Sequence, residues 1–204
     1  MYIPNHFKNE NLEEVKGFLI KNSFGILINQ TKGKLTGTHI PMELDKDKQG
    51  NDVLVGHISK ANPQWEGFRN NEEILAIFNG PHSYVSSSWY ETEEVPTWNY
   101  IAVHIYGKIK IIEGEELLDS LKKLVDKYEV NSEHPVSMET MSSKVLKQVN
   151  GIVGFSIKIN EIQAAYKLSQ NRSESDYHNI VDKLEKMGAS NPKEVAKEMM
   201  RRKG

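Results

Sequence analysis

Apolar and polar side chains alternate with period two between Thr97 and Ile112. One parity carries the aliphatic residues Ile101, Val103, Ile105, Ile109 and Ile111. The other parity carries aromatic and polar residues with one alanine: Trp98, Tyr100, Ala102, His104 and Tyr106. Because successive side chains of a strand point to opposite faces, the pattern predicts a long strand with one core face. Its aromatic-polar face must meet a ligand, a partner subunit or water.

Five other segments carry strand patterns bounded by turn residues: 24–29, 35–44, 53–58, 74–79 and 151–163. Pro41 within the second of these implies an edge, a bulge or a strand end. Gly80-Pro81 is predicted to interrupt the chain between 74–79 and a further extended segment, 82–89.

Helical spacing of apolar residues predicts one helix after an Asn11 cap and another over 113–130, with a short helix within 138–149. Two terminal helices follow, one over 173–187 and one from an Asn191 cap to the RRK tail. The order lacks strand-helix-strand alternation, which argues against a doubly wound parallel sheet. It predicts a mainly β (α+β) fold: a closed or split antiparallel barrel of six or more strands with helices outside it.

Composition limits the class of protein. The chain has 204 residues and no cysteine, which excludes disulfides, thiolate catalysis and cysteine metal sites. Its formal net charge of −2 gives no electrostatic footprint for nucleic acid or an anionic membrane. The start, MYIPNHFKNE, resembles no leader, and no run approaches the length of a membrane span. We therefore expect a cytoplasmic globular protein.

The segment GHISKANP joins the third strand to a helix that begins at Asn62-Pro63. A helix N-terminus following a strand offers unsatisfied amide donors and the positive end of a dipole, which suit a phosphate. Ser59 and Lys60 lie beside it in the sequence. The alternative interpretation is helix capping with a surface lysine.

Several segments together resemble the PaiB family of FMN-binding negative transcriptional regulators: MYIPNHF, GHISKANPQW, GPHSYVSSSWY, VPTWNYIAVHIYG and KLSQNRSESDYHNIVDKLE. The family usually has YVSPSWY where this chain has Ser87 in place of the proline. The resemblance implies a six-stranded split barrel of the FMN-binding type, with peripheral helices and a C-terminal helix pair. It also implies a homodimer with FMN at the subunit interface.

The resemblance and the residues together give a set of candidate FMN-binding side chains. His57, Ser59, Lys60 and Asn62 would bind the phosphate, and Thr38 and His39 on the preceding strand are included with them. Trp98, Asn99 and Tyr100 would border the isoalloxazine, the alternative being barrel and dimer packing. Lys167, Ser169, Gln170 and Arg172 would meet the phosphate or the flavin N1 edge, the alternative being a capping loop.

The predicted organisation is an FMN-binding domain over 1–170 with a helical extension over 171–204. The function that the resemblance implies is negative regulation of transcription, direct or indirect, of protease and sporulation-type genes. A flavin-dependent oxidoreductase and a haem-binding split-barrel protein are the alternatives. No HxxxH or HExxH spacing indicates a metal, and no GxSxG motif indicates a serine nucleophile. DNA stays open as a partner through the terminal helices, but the net charge does not support it.

Overall fold

Six antiparallel strands form a closed ring in the computed structural model, in the order β1-β2-β3-β6-β5-β4. The structure describes residues 1–70 and 73–203. The strands are β1 (Phe24–Thr31), β2 (Lys34–Lys46), β3 (Asp52–Ser59), β4 (Glu73–Val85), β5 (Thr97–Ile112) and β6 (Ile152–Lys167). This confirms the predicted six-stranded antiparallel barrel.

The helices are α1 (Leu12–Lys21), α2 (Gly114–Glu129), α3 (Ser143–Leu146), α4 (Glu174–Lys186) and α5 (Ser190–Lys203). Short 3₁₀ helices cover Asn5–Phe7, Pro63–Asn70, Ser87–Trp89, Met138–Thr140 and Lys147–Gly151. Within the described ranges, no helix is long and apolar enough to cross a membrane.

The chain divides into two compact units. The first unit comprises Met1–Phe18, Phe78–His104 and Gln163–Gly204, and the second comprises Leu19–Ile77 and Ile105–Ile162. Buried side chains of the second unit include Leu27, Met42, Leu54, Phe68 and Phe155. Those of the first unit include Tyr166, Tyr177, Ile180, Leu184 and Met199. Each unit therefore has an apolar core of its own.

The alternation predicted for β5 is present, because the aliphatic residues from Ile101 to Ile109 are buried and Trp98 is exposed. The predicted interruption at Gly80-Pro81 is wrong, since β4 runs through both residues. A Cβ on Gly80 would lie 2.6 Å from the ring of Phe18, so the glycine lets the strand pass this side chain.

Pro41 lies where β2 changes its partner. It is paired with Phe24 at the end of the β1 ladder, and the next residue, Met42, begins the ladder with β3. Of the expected edge, bulge or strand end, the structure shows only the end of the β1 ladder, since β2 itself continues to Lys46. For the last helix, the sequence predicts a cap at Asn191, but α5 already begins at Ser190. The expected division at residue 170 stays a prediction.

Candidate functional site

The junction between β3 and the 3₁₀ helix Pro63–Asn70 carries a polar network in the second unit. The Asn62 side chain accepts from the Gln64 amide at 3.0 Å and donates to Thr38 Oγ1 at 2.9 Å. Thr38 in turn donates to Gln64 Oε1. Gln64 is fully buried and also donates to the Leu27 carbonyl at 2.9 Å and to Asn29 Oδ1 at 2.8 Å. Thr38 and Asn62 therefore hold the junction on the barrel.

Backbone amides at this junction already have partners. Those of Lys60 and Asn62 donate to the carbonyls of Gly151 and Ser59, at 2.9 and 3.0 Å. The Ala61 amide donates to Ser59 Oγ at 3.2 Å. The amides of residues 60–62, which lead into the helix, are therefore used by a neighbouring segment and by Ser59, and the Gln64 amide is capped by Asn62.

Lys60 and Ser59 keep donors that a ligand can use. The Lys60 ammonium is exposed and donates to the Asn150 carbonyl at 2.9 Å. No carboxylate of the described residues lies within ion-pair distance of it. The exposed Ser59 hydroxyl oxygen accepts from Ala61, which leaves its proton able to donate. An ammonium and a hydroxyl side by side form a donor set for phosphate.

The two predicted histidines of this unit differ in environment. Burial lowers the pKa of His57, so its imidazole is neutral at pH 7 and could meet a phosphate only as a neutral donor. His57 lines a narrow cleft with Glu43 and Ser120. His39 is exposed on β2, with its ring centroid 6.4 Å from that of Phe24.

A cavity of about 430 Å³ lies beside Lys60 in the second unit. Most of its lining is aliphatic, and Glu113 is the carboxylate among the lining residues. The aliphatic residues come from the end of β5, from α2, from the segment before β6 and from its start: Ile111, Ile112, Leu117, Leu118, Leu146, Val149, Ile152 and Val153. Its volume is within the range of about 300–1,000 Å³ that is typical of small-molecule sites.

In the first unit, neighbouring residues of β5 point in opposite directions. Asn99 is fully buried, and its amide group exchanges hydrogen bonds of 2.9 and 3.1 Å with Ser169 Oγ. Trp98 is 53% exposed, and its ring centroid lies 6.2 Å from that of His82 and 6.1 Å from that of Tyr84. Tyr100, on the Trp98 side, is half-buried. Of the three predicted residues, Trp98 and Tyr100 lie on the more exposed side of β5, whereas Asn99 is buried on the other side, where it lines a cavity of about 200 Å³.

The segment KLSQNR divides by role. Gln170 closes its own loop by donating to the Tyr166 carbonyl at 2.6 Å and accepting from the Leu168 amide at 2.7 Å. Ser169 has a φ of 59°, in the left-handed region, and is held by Asn99. Lys167 and Arg172 line the same cavity of about 200 Å³ together with Ser169, Asn171 and Asn99.

Two residues that matter to these sites were missed by reasoning from sequence. Gln64 is the buried centre of the junction, and Thr97 bonds the Lys167 ammonium. Gln64 is the second residue of the helix Pro63–Asn70, a position at which a glutamine is ordinarily exposed to solvent. Its only signal in the sequence is its place inside the motif GHISKANPQW.

Comparison with known proteins adds the family. A family model described as "Putative FMN-binding domain" matches residues 1–161. The Bacillus subtilis (strain 168) protein named "Protease synthase and sporulation protein PAI 2" is 46% identical over 200 residues, covering 98% of this chain and 96% of that protein. The chain belongs to the PaiB family. The resemblance stated from sequence is confirmed, and FMN is the cofactor that this membership supports.

Solved structures agree on the fold of this PaiB-family chain. The FAD and haem binding protein from Mycobacterium smegmatis has a TM-score of 0.61 at 13% identity, covering 79% of this chain and 73% of that chain. The flavocytochrome Anf3 from Azotobacter vinelandii has a TM-score of 0.60 at 16% identity, covering 87% and 78%. At such identities the likeness shows the fold alone.

Proposed function

We propose that the chain binds FMN with its phosphate at the end of β3, against Lys60 and Ser59. The observation that carries this proposal is the exposed Lys60 ammonium beside a largely aliphatic cavity of about 430 Å³. The ammonium and the Ser59 hydroxyl supply donors for the phosphate. Leu117, Val149 and Ile152 supply an apolar wall for a flat ring and exclude water from it.

Bound FMN supplies the capacity to accept and return a hydride or electrons. The chain's own part is to fix the phosphate and to keep the network of Thr38, Asn62 and Gln64 behind it rigid. His57 precedes Ser59 and Lys60 by two and three residues, and because its imidazole is neutral it adds no charge to this donor set. Trp98 and Tyr100 border the flavin in this proposal as residues of a partner subunit, in the homodimer that the family resemblance implies.

We further propose that the FMN-loaded protein acts in the cytoplasm as a negative regulator of protease and sporulation-type genes. The name of the Bacillus subtilis relative supports this role. The basic tail does not favour direct reading of DNA. Arg201 pairs with Glu14 at 2.5 Å and with Glu198 at 2.8 Å, and Arg202 pairs with Glu14 at 3.3 Å. These cations are neutralised within the chain, so we infer an indirect effect on transcription and expect no salt-dependent gel shift on promoter DNA.

Titration of the apo-protein with FMN, followed by flavin fluorescence, tests the site. Lys60→Ala should weaken FMN binding about tenfold or more, because it removes a charge-assisted hydrogen bond to the phosphate. Riboflavin, which lacks the phosphate, should bind Lys60→Ala and the unaltered protein alike. Lys108→Ala removes an exposed lysine of the same unit and is the matched control.

Lys167→Ala and Arg172→Ala complete the same titration. Both variants should keep the FMN affinity of the unaltered protein. If these two variants lose FMN affinity and Lys60→Ala does not, the FMN site lies in the first unit instead. The sequence analysis also allows that placement. Equal FMN affinity in every variant would refute both placements.

A further inference from the structure

The cavity of about 200 Å³ in the first unit has two cations in its lining and differs from the Lys60 site in composition. Lys167 and Arg172 line it together with Thr97, Phe7 and His6. Its volume is less than the range of about 300–1,000 Å³ typical of drug-sized ligands. The space suits a small ligand better than a whole flavin nucleotide.

The positive charges of this cavity are only partly compensated. Arg172 pairs with Glu94 at 2.5 Å, and its guanidinium lies 4.8 Å from the centroid of the Tyr90 ring. Lys167 bonds the hydroxyl of Thr97 and lies 5.8 Å from the centroid of the Phe7 ring. No carboxylate of residues 1–70 and 73–203 lies within ion-pair distance of Lys167. One positive charge therefore remains without a counter-ion.

Burial penalises this ammonium. Desolvation lowers the pKa of Lys167, and the neighbouring Arg172 guanidinium lowers it further. A half-buried cation with a second cation beside it is stabilised by any anion that enters the cavity. Thr97 keeps Lys167 aimed at the cavity, and Phe7 gives the space an apolar side.

We propose that Lys167 and Arg172 bind the oxyanion of a small organic acid or phosphate ester, as a second ligand independent of the flavin. The oxyanion lies between the ammonium and the guanidinium, and the short apolar part of the ligand packs against Phe7. This replaces the flavin contact that sequence alone indicated for the two residues. It goes beyond FMN binding at Lys60, which the FMN titration tests separately.

Isothermal titration of the FMN-loaded protein tests the site, with inorganic phosphate and propionate as the two probes. At least one probe should bind, and Lys167→Met and Arg172→Gln should each weaken it about tenfold or more. Lys186→Met removes an exposed lysine of α4 in the same unit and should leave binding unchanged. The probe that binds more tightly indicates the class of the natural ligand: phosphate indicates a phosphate ester, and propionate indicates a carboxylic acid.

A spectroscopic measurement supplements the titration and does not depend on activity. With ¹³C-labelled lysine, the resonance lost in Lys167→Met identifies the Lys167 side chain. The bound probe should raise the pKa of that side chain, because a nearby anion favours the ammonium form. Lys167→Arg, which keeps the charge, should retain part of the affinity.

Three results would overturn the proposal. The first is that neither probe binds, and the second is binding that Lys167→Met and Arg172→Gln leave intact. The third is competition, in which FMN displaces the probe from the apo-protein, since the cavity would then be a flavin subsite. Unchanged thermal unfolding of the variants ensures that lost binding does not reflect lost folding.

Discussion

Single residues of the two candidate sites differ in whether their polar groups are already used inside the chain. Asn62, Asn99, Ser169 and Gln170 all have internal partners. Donors engaged in this way fix loops, because breaking them would leave a buried polar group unsatisfied. Among the residues that the structure describes, the lysines at 60 and 167 meet only carbonyl, hydroxyl or ring partners. An anionic ligand gains the most binding free energy at cations of this kind, because it does not have to displace a carboxylate.

Two histidines should make the fold sensitive to mild acid. Burial lowers the pKa of His57, and burial with the N-terminal ammonium lowers that of His104. The pKa of an unperturbed histidine is about 6.5. Below that pH the imidazoles of the unfolded chain are protonated, whereas those of the folded chain stay neutral until a lower pH. The free energy of unfolding should therefore decrease as pH falls through and below this value.

Urea unfolding across this pH range checks the prediction. His57→Gln and His104→Gln should each make the decrease shallower, since each removes one group that binds protons more readily in the unfolded chain. His134→Gln, at an exposed position, is the control. An unchanged slope in both buried variants would show that other groups cause the acid sensitivity.

Among the elements, β5 depends on a close approach to β6 in the second unit. A Cβ on Gly107 would lie 2.3 Å from the Lys158 carbonyl oxygen and 2.8 Å from Ile157 Cγ2. Real side chains do not tolerate such contacts with backbone, so the strands would have to separate. The glycine is needed for space, because its φ lies outside the left-handed region.

Gly107→Ala should lower the free energy of unfolding by about 1–3 kcal/mol, the usual cost of overpacking. Gly17→Ala is the matched substitution in α1, where an added Cβ meets nothing within 4 Å. There it should raise stability by about 0.5–1 kcal/mol, because alanine loses less backbone entropy in a helix. Urea denaturation measures both, and a Gly107→Ala protein of undiminished stability would contradict the close approach of β5 to β6.

At the scale of the whole molecule, strands β4 and β5 expose a group of aromatic side chains. Trp98 on β5 and Tyr84 on β4 are 53% and 44% exposed, and the Trp98 ring lies beside the rings of Tyr84 and His82. Large aromatic side chains are costly to leave in water and are enriched at interfaces. Together with the homodimer that the resemblance in sequence implies, they support a proposal of self-association through this face.

Light scattering after size exclusion should give twice the chain mass of 23.3 kDa. Trp98→Arg should shift the protein toward the monomer mass by placing a charge in the interface. Tyr2→Arg changes another exposed aromatic residue, at 89% exposure, and serves as the control. A monomer at all concentrations, or a dimer that Trp98→Arg leaves intact, would refute this interface.

The sequence by itself determined the class of fold and the cofactor. The alternation in β5, the strand patterns elsewhere and the family motifs together predict an antiparallel barrel that binds FMN. Periodicity reports which face of an element is buried, and motifs report ancestry, so both can be read without coordinates. Boundaries are less secure: β4 is continuous because packing against Phe18 outweighs the local turn signal of Gly80-Pro81.

Only the tertiary structure decided which polar side chains are used internally. Asn62 bonds Thr38 across 24 positions of sequence, and Asn99 bonds Ser169 across 70. Residue type gives the number of donors that a side chain has, but its partners come from segments that only folding brings together. For the same physical reason, sequence grouped Lys167, Ser169 and Gln170 together, whereas the structure places Lys167 and Ser169 in the lining of a cavity and uses Gln170 to hold the loop.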